Sequence, residues 1–406
     1  MARTRDENAL SFNTVCPRDA AALLRHTMAV GRPVMLWGPP GIGKSDIIAQ
    51  IGKSQNRPVI DLRLLLMEPT DLKGIPYYDT KTGLMRWAKP SELPTIVSAE
   101  DVTLAENTLA RLVDDKAPEE DIKAARHHLE VVAGNFALQN AILFLDEVNA
   151  APQSVQAAAY QLILNRKIGE YILPKGVSIV AAGNRETDKA VTFRMPSALA
   201  NRFVHLEMKV RFDDWFDWAI DHRVKSDVVG FLKAHPHRLF EFDPKNASKA
   251  FPTPRSWVFV SELMSDDMPD NLNQFLVAGT VGDGLALEFM QHRRLKDSLP
   301  SVEDILSGRV TKFANPDKVE ISALYSLVIS LCHSLQDFAV DNKSDSKAWE
   351  TATTNFLEFT MNNLSNEVAV LAAVTAIRKY KIDFVFGSKA FDKFYEKYGE
   401  SVNAYN

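Results

Sequence analysis

The sequence predicts an α/β fold: a parallel sheet flanked by helices and built around a phosphate loop, followed by an all-helical lid and a C-terminal helical region. Three observations carry this. Residues 38–45 read Gly-Pro-Pro-Gly-Ile-Gly-Lys-Ser, a complete G-x-x-x-x-G-K-[ST] pattern. Short apolar runs alternate with helical stretches through the first half, the pattern of a sheet covered on both faces. From about Asp213 the strand pattern fades and helical spacing takes over. The expected organisation is an α/β nucleotide-binding domain over 1–212 with a helical insertion at about 98–133, a helical lid over 213–300, and a helical extension over 301–406.

Taken in order, Pro17 to Val30 carries apolar residues at helical spacing. Pro33-Val34-Met35-Leu36-Trp37 is a buried strand, and Asp46 to Ile51 continues as a helix after the loop. Pro58 to Leu62, Ala141 to Leu145, Val177 to Ala182 and Phe203 to Leu206 read as further strands. Gly74 to Pro94 is rich in Gly, Pro and aromatics and suits a hairpin or long loop. Ser98 to Ala133 reads as a helical hairpin, with Val102, Ala105, Leu109 and Leu112 on one face and Ile122, Ala125, Leu129 and Val132 on the other. Ser98-x-x-Asp101 is a capping-box pattern, and Pro118 suits the start of the second helix. Beyond Asp213, helices are expected over Trp215–Val224, Asp227–Ala234, Arg255–Met264 and Leu272–Gln291. A polar stretch with Pro300, Gly308 and Pro316 reads as a linker. Helices then resume over Ile321–Val340, Ala348–Leu364 and Asn366–Lys379.

Composition narrows the class. With 46% hydrophobic and 24% charged residues the chain is ordinary for a soluble globular protein. A net charge of −5 argues against a nucleic-acid-coating surface. Two distant cysteines, Cys16 and Cys332, exclude a disulfide framework and suit a reducing compartment. No apolar run reaches the ~18–20 residues that span a bilayer. The polar start, Met1 to Asn13, has no signal-peptide core, so the cytoplasm is the expected location.

The loop chemistry implies a nucleoside triphosphate. Backbone N–H groups of Gly38, Pro39, Pro40, Gly41, Ile42 and Gly43 (the prolines aside, which have none) curl around phosphates. Lys44 reaches the outer oxygens, and the Ser45 hydroxyl takes a place on Mg²⁺. Asp146-Glu147 ends an apolar strand. Alone, that pair equally suits a strand running out into a polar turn. Beside a phosphate loop, Asp146 suits Mg²⁺ through its water shell and Glu147 suits a base for the attacking water. Asn184 follows the next strand; an amide there holds the water if the two strands are neighbours, and is otherwise a turn residue. Arg202, in Ala198-Leu199-Ala200-Asn201-Arg202-Phe203, suits either a finger supplied to a neighbouring subunit or a surface arginine paired with a carboxylate. Arg255 starts a helix capped by Thr253 with Pro254 first, placed either to reach a phosphate or to be solvated.

The order of these motifs, with Leu-Asp-Glu-Val-Asn from Leu145 to Asn149 and Ala-Ala-Gly-Asn from Ala181 to Asn184, resembles an AAA+ ATPase. More closely it is similar to the MoxR branch, whose members occur with von Willebrand factor A-type partners. The resemblance spans about Pro17 to Met264. It implies Walker A and B roles for Lys44, Ser45, Asp146 and Glu147, sensor one at Asn184, an arginine finger at Arg202 and sensor two at Arg255. It also implies ATP and Mg²⁺ as cofactors, a homo-oligomeric, hexameric ring, and a protein substrate. Gly74 to Trp87 and Asn165 to Tyr171 resemble the branch's two pore-facing insertions. The hairpin at 98–133 and the helices after Gly308 depart from the family pattern. A nucleic-acid motor, with Arg86, Arg166 and Lys167 supplying a basic channel, is the rival reading. A nucleotide-gated switch is a third, against which Glu147, Asn184 and Arg202 together argue.

Overall fold

The computed structural model describes residues 14–185, 188, 195–244, 248–296, 299–314, 319–341, 346–385 and 387–404. The chain start and Pro316, both read above, lie outside them. Two compact units result, Met1–Lys209 and Val210–Asn406.

In the first unit the elements run β1 (Thr14–Val15), α1 (Pro17–Ala29), β2 (Val34–Trp37), α2 (Lys44–Ser54), β3 (Val59–Arg63), α3 (Pro69–Lys73), β4 (Ile75–Asp79) and β5 (Leu84–Ala88). They continue with α4 (Ala99–Asp114), α5 (Glu119–Ala137), β6 (Ile142–Asp146), α6 (Gln153–Asn165), β7 (Lys167–Ile168), β8 (Tyr171–Ile172), β9 (Ser178–Gly183), α7 (Ser197–Ala200) and β10 (Val204–Met208). Six strands form one sheet in the order β1-β10-β2-β9-β6-β3, with every pair parallel. A parallel sheet must be covered on both faces, which is why β2, β6 and β9 are continuous apolar runs. Met35, Leu143, Leu145, Ile179 and Ala181 pack with Val155, Ala159 and Leu162 of α6 in one core. At the opposite end of the strands Arg57 ties the sheet together. Its guanidinium donates to Asn140 O (2.7 Å) and Ala141 O (3.1 Å) and to Ser178 Oγ (2.8 Å).

Two antiparallel hairpins, β4–β5 and β7–β8, stand apart from this sheet. The α4–α5 pair forms the expected helical hairpin. Ser98 and Asp101 make the capping box reciprocally. Helix α5 has no fully buried residue and α4 has only Ala105, so the two stabilise each other more than they pack on the sheet.

The second unit is helical throughout its described residues: α8 (Phe212–Asp221), α9 (Ser226–Ala234), α10 (Pro254–Leu263), α11 (Asp270–Val281), α12 (Asp283–Lys296), α13 (Val302–Leu306), α14 (Ile321–Asp341), α15 (Ser346–Asn363), α16 (Asn366–Val374) and α17 (Lys389–Ala404). One core joins them, from Trp215, Phe231, Trp257 and Phe289 through Leu331, Phe356 and Phe394, so the segments 213–300 and 301–406 share it. The single helix expected over Leu272–Gln291 is two helices. Gly282 adopts φ +98°, a left-handed conformation that ends α11 and that side-chain-bearing residues avoid. The helix expected to run to Lys379 ends its α-geometry at Val374 and finishes as a π turn over Thr375–Lys379. Strand β1 and helices α3, α6, α7, α13 and α17 have no counterpart among the expected elements. Among the described residues no helix is long and apolar enough to cross a membrane.

Candidate functional site

The sheet order decides the site. Strand β9 lies between β2, which ends at the phosphate loop, and β6, which ends at Asp146. Parallel strands bring their carboxyl ends to one edge, so the loop, Asn184 and Asp146-Glu147 converge there, as ligand sites in open α/β sheets do.

Within the loop Gly41 and Gly43 have φ of +76° and +86°, the left-handed turns that let successive N–H groups face one concavity. Gly43 is the N-cap of α2, so Lys44 and Ser45 open the helix at its electropositive end. The Lys44 ammonium donates to Gly38 O (2.8 Å) and Pro39 O (3.0 Å) and lies 3.4 Å from Asn184 Oδ1. Ser45 Oγ donates to Asp146 Oδ2 at 3.1 Å, while Asp146 Oδ1 accepts the Glu147 N–H at 2.8 Å. The hydroxyl and carboxylate oxygens are hard donors of the type Mg²⁺ takes, few enough to leave places for phosphate and water. Glu147 holds φ +56°, uncommon for a residue with a side chain, in the turn that closes with the Ala150 N–H donating to Glu147 O.

Asn184 is fixed by a residue that has no role in the sequence-based reading. Asn149, 2% exposed, donates its amide to Asn184 O (2.7 Å) and accepts the Asn184 N–H at Oδ1 (3.2 Å). The available signal was an amide in an apolar stretch three residues beyond Asp146. Arg185, the next residue, is committed elsewhere: it pairs with Asp188 (2.8 Å) and Glu207 (3.1 Å), and these hydrogen bonds raise its pKa.

Arg202 follows α7, two residues before β10. Its side chain is exposed, and among the described residues none forms a hydrogen bond or ion pair with it. Arg255 lies in the second unit at the second position of α10. The helix is capped as expected: Thr253 Oγ1 accepts the Ser256 N–H at 3.0 Å and Pro254 comes first. Arg255 is exposed.

A separate cleft of about 670 Å³ opens at the edge strand β3 and the base of the β4–β5 hairpin, lined by residues including Asp61, Arg63, Met67, Ile75 and Lys89. None of its lining residues belongs to the phosphate loop. Burial, with the Asp146 charge adding, raises the Asp61 pKa against the pull of Arg63.

The hairpins are in contact. Arg86 of β5 lies 3.8 Å from Glu170 of the β7–β8 turn, and Lys73 sits 4.3 Å above the Trp87 ring. Ile75, Tyr77, Tyr78, Leu84 and Met85 are all exposed on β4–β5. Arg166 does not project from its hairpin. Its guanidinium turns back to Pro174 O (2.6 Å) and Val177 O (2.7 Å).

Residues 33–203 match the family model of the AAA domain (dynein-related subfamily), a stretch that takes in every site residue described here except Arg255. No curated protein matches the chain. Among solved structures, NtrX from Brucella abortus in complex with ATP is 14% identical over 82% of this chain and 68% of its own, with a TM-score of 0.35. A point mutant of RuvB from Thermotoga maritima is 14% identical over 88% of this chain and 86% of its own, with a TM-score of 0.33. A candidate ATPase of Cytophaga hutchinsonii is 12% identical over 94% and 88%, with a TM-score of 0.30.

Proposed function

We propose that this chain is a ring-forming, MoxR-like AAA+ ATPase that couples ATP hydrolysis to the remodelling or activation of a protein partner, of which a von Willebrand factor A-type protein is the expected kind. The observation that carries it is the convergence of Lys44, Ser45, Asp146, Glu147 and Asn184 on one sheet edge, with an exposed Arg202 on the same unit that has no partner among the described residues.

In this reading the loop N–H groups and Lys44 bind the β- and γ-phosphates. Ser45 and Asp146 would hold Mg²⁺, which would supply neutralisation of phosphate charge. Asn184 orients a water and Glu147 takes its proton as the oxygen bonds to the γ-phosphorus; the bond to the β-phosphate oxygen breaks and ADP leaves. Charge on the transferring group is met by Arg202 of a neighbouring subunit. The site is therefore complete only in an assembly, with a hexamer as the expected closed ring.

The hairpins favour a polypeptide over a nucleic acid. Apolar and aromatic groups dominate the exposed face of β4–β5, with Arg86 the one exposed charge on its two strands. Of the three cations a nucleic-acid channel would need, Arg86 stands between Asp79 (3.9 Å) and Glu170 (3.8 Å) and Arg166 is bound to backbone carbonyls, which leaves Lys167 as the exposed one. An Arg202→Ala chain should bind ATP and lose ~10³–10⁵ in hydrolysis, the usual contribution of such fingers. Mixed with Glu147→Gln chains it should regain activity, because some interfaces then join an intact Arg202 to an intact Glu147. A monomer with full activity, or a mixture with no rescue, sinks the ring reading.

A further inference from the structure

One polar pair on the sheet belongs to no step of this chemistry. Trp37, the last residue of β2, donates its indole N–H to His205 Nδ1 on β10 at 2.9 Å. The two rings lie nearly parallel, with centroids 6.0 Å apart and planes within 9°, as an edge-to-edge hydrogen bond requires. On its other side His205 Nε2 lies 2.7 Å from the carbonyl oxygen of Ala200. An indole N–H only donates, so Nδ1 is the acceptor and the imidazole proton sits on Nε2, donating to Ala200.

The ends of this chain of bonds matter. Ala200 is the last residue of α7, and Arg202 comes two residues later. Helix α7 has four residues, too few to hold itself in place by its own hydrogen bonds. The turn that presents Arg202 is held by backbone bonds, the Asn201 N–H to Ser197 O (3.2 Å), the Arg202 N–H to Leu199 O (2.8 Å), the Phe203 N–H to Ala200 O (3.3 Å) and the Val204 N–H to Pro33 O (3.0 Å), with Leu199 and Phe203 buried; among the described residues the His205 bond is the side-chain hydrogen bond that reaches it. Among the described residues no partner restrains the Arg202 side chain. At the other end, Trp37 precedes Gly38, whose carbonyl accepts the Lys44 ammonium.

We propose that His205 is a positioning residue for Arg202: through its bonds to Trp37 and Ala200 it holds the arginine-bearing turn against the strand that carries the subunit's own phosphate loop. This rests on the reading of Arg202 as a finger acting on a neighbour's ATP. It assigns the loss caused by changing His205 to the neighbour's site, whereas a pair that only stabilises the sheet would impair the subunit's own site.

Mixing experiments separate the two. His205→Phe keeps an aromatic ring at the position and removes both hydrogen bonds. Alone it should lose about 10²-fold in kcat, the size expected when a catalytic group is displaced by about 1 Å. Its ATP affinity should stay within about twofold of normal, since the loop is untouched. Mixed with Glu147→Gln chains, activity should return, because His205→Phe chains have an intact Glu147 and receive an intact Arg202. Mixed with Arg202→Ala chains it should not return, because every interface then has an impaired finger. The reverse pattern, or an unchanged kcat, overturns the proposal. The Arg202→Ala and Glu147→Gln mixture is the control: if that pair fails to rescue, the finger reading itself has failed and this inference falls with it. Should His205→Phe not fold, His205→Gln places an amide N–H near the former Nε2–H, whereas His205→Asn is too short to reach Ala200. The Gln variant should retain most of kcat and the Asn variant should lose it; equal activities refute the proposal.

Discussion

Replacing Asn149 by Ala tests whether the buried amide sets the position of Asn184. The substitution removes two hydrogen bonds, to Asn184 O at 2.7 Å and from the Asn184 N–H at 3.2 Å. Each is worth about 1 kcal/mol net, and leaving both half-buried backbone groups without partners adds a similar amount. The expected loss is therefore about 2–4 kcal/mol in the stability of the first unit, or roughly 5–10 °C in its unfolding midpoint for a unit of this size. The functional effect is separate. Lys44 and Ser45 are untouched, so ATP affinity, read by calorimetric titration, should change little. Asn184, freed from its clamp, should hold the attacking water poorly, and kcat should fall by about 10–10²-fold. A comparison with Asn149→Asp sharpens this, because the carboxylate still accepts the Asn184 N–H but faces the Asn184 carbonyl with a second acceptor. It should be at least as unstable as the alanine variant. If Asn149→Ala lost stability yet kept its full kcat, Asn184 would not need its clamp for catalysis. If neither changed, the clamp would carry no weight at all.

Further outcomes follow from the same geometry. Lys44→Ala should abolish tight ATP binding, because the one ammonium aimed into the loop is lost; calorimetry giving the normal affinity would remove Lys44 from the site. Glu147→Gln should bind ATP and slow its hydrolysis by at least ~10²-fold, the amide being near-isosteric but a far poorer base; normal turnover would make another group the base. In the second unit, burial, reinforced by Arg223 and opposed by Asp337, pushes the His333 imidazole down to about 4. A histidine whose folded pKa lies below its unfolded value near 6.5 contributes stability above that value and loses it as pH falls. Unfolding of that unit should therefore become easier by up to about 3 kcal/mol between pH 6.5 and 4, and His333→Phe should flatten the dependence. A His333→Phe profile as steep as the unsubstituted one would assign the effect to other groups.

How much of this was legible in the sequence depends on the range over which each feature acts. The phosphate loop, the strand ending at Asp146 and the Ser98–Asp101 cap were readable because spacing within a few residues fixes them. The break at Gly282 was not, since a lone glycine in an apolar helical pattern is more often tolerated than helix-ending. Strand β1 escaped because two residues carry no period, and its place is set by pairing with β10 nearly two hundred positions away.

The same limit explains the two polar clamps. Asn149 on Asn184 and His205 on Trp37 each join residues from different strands or strand ends, and whether they meet depends on register. In β2 and β10, Trp37 lies opposite Glu207, so His205 is its diagonal neighbour on the same face. A slip of one residue would turn His205 to the other face and leave both its nitrogens and the indole N–H to find other partners. Composition offers no trace of such a choice, because Trp and His at those positions are equally at home as ordinary strand residues. The residues proposed to do the chemistry are thus marked by local pattern, whereas those that would hold them in place become visible only once the sheet order β10-β2-β9-β6 puts their strands side by side.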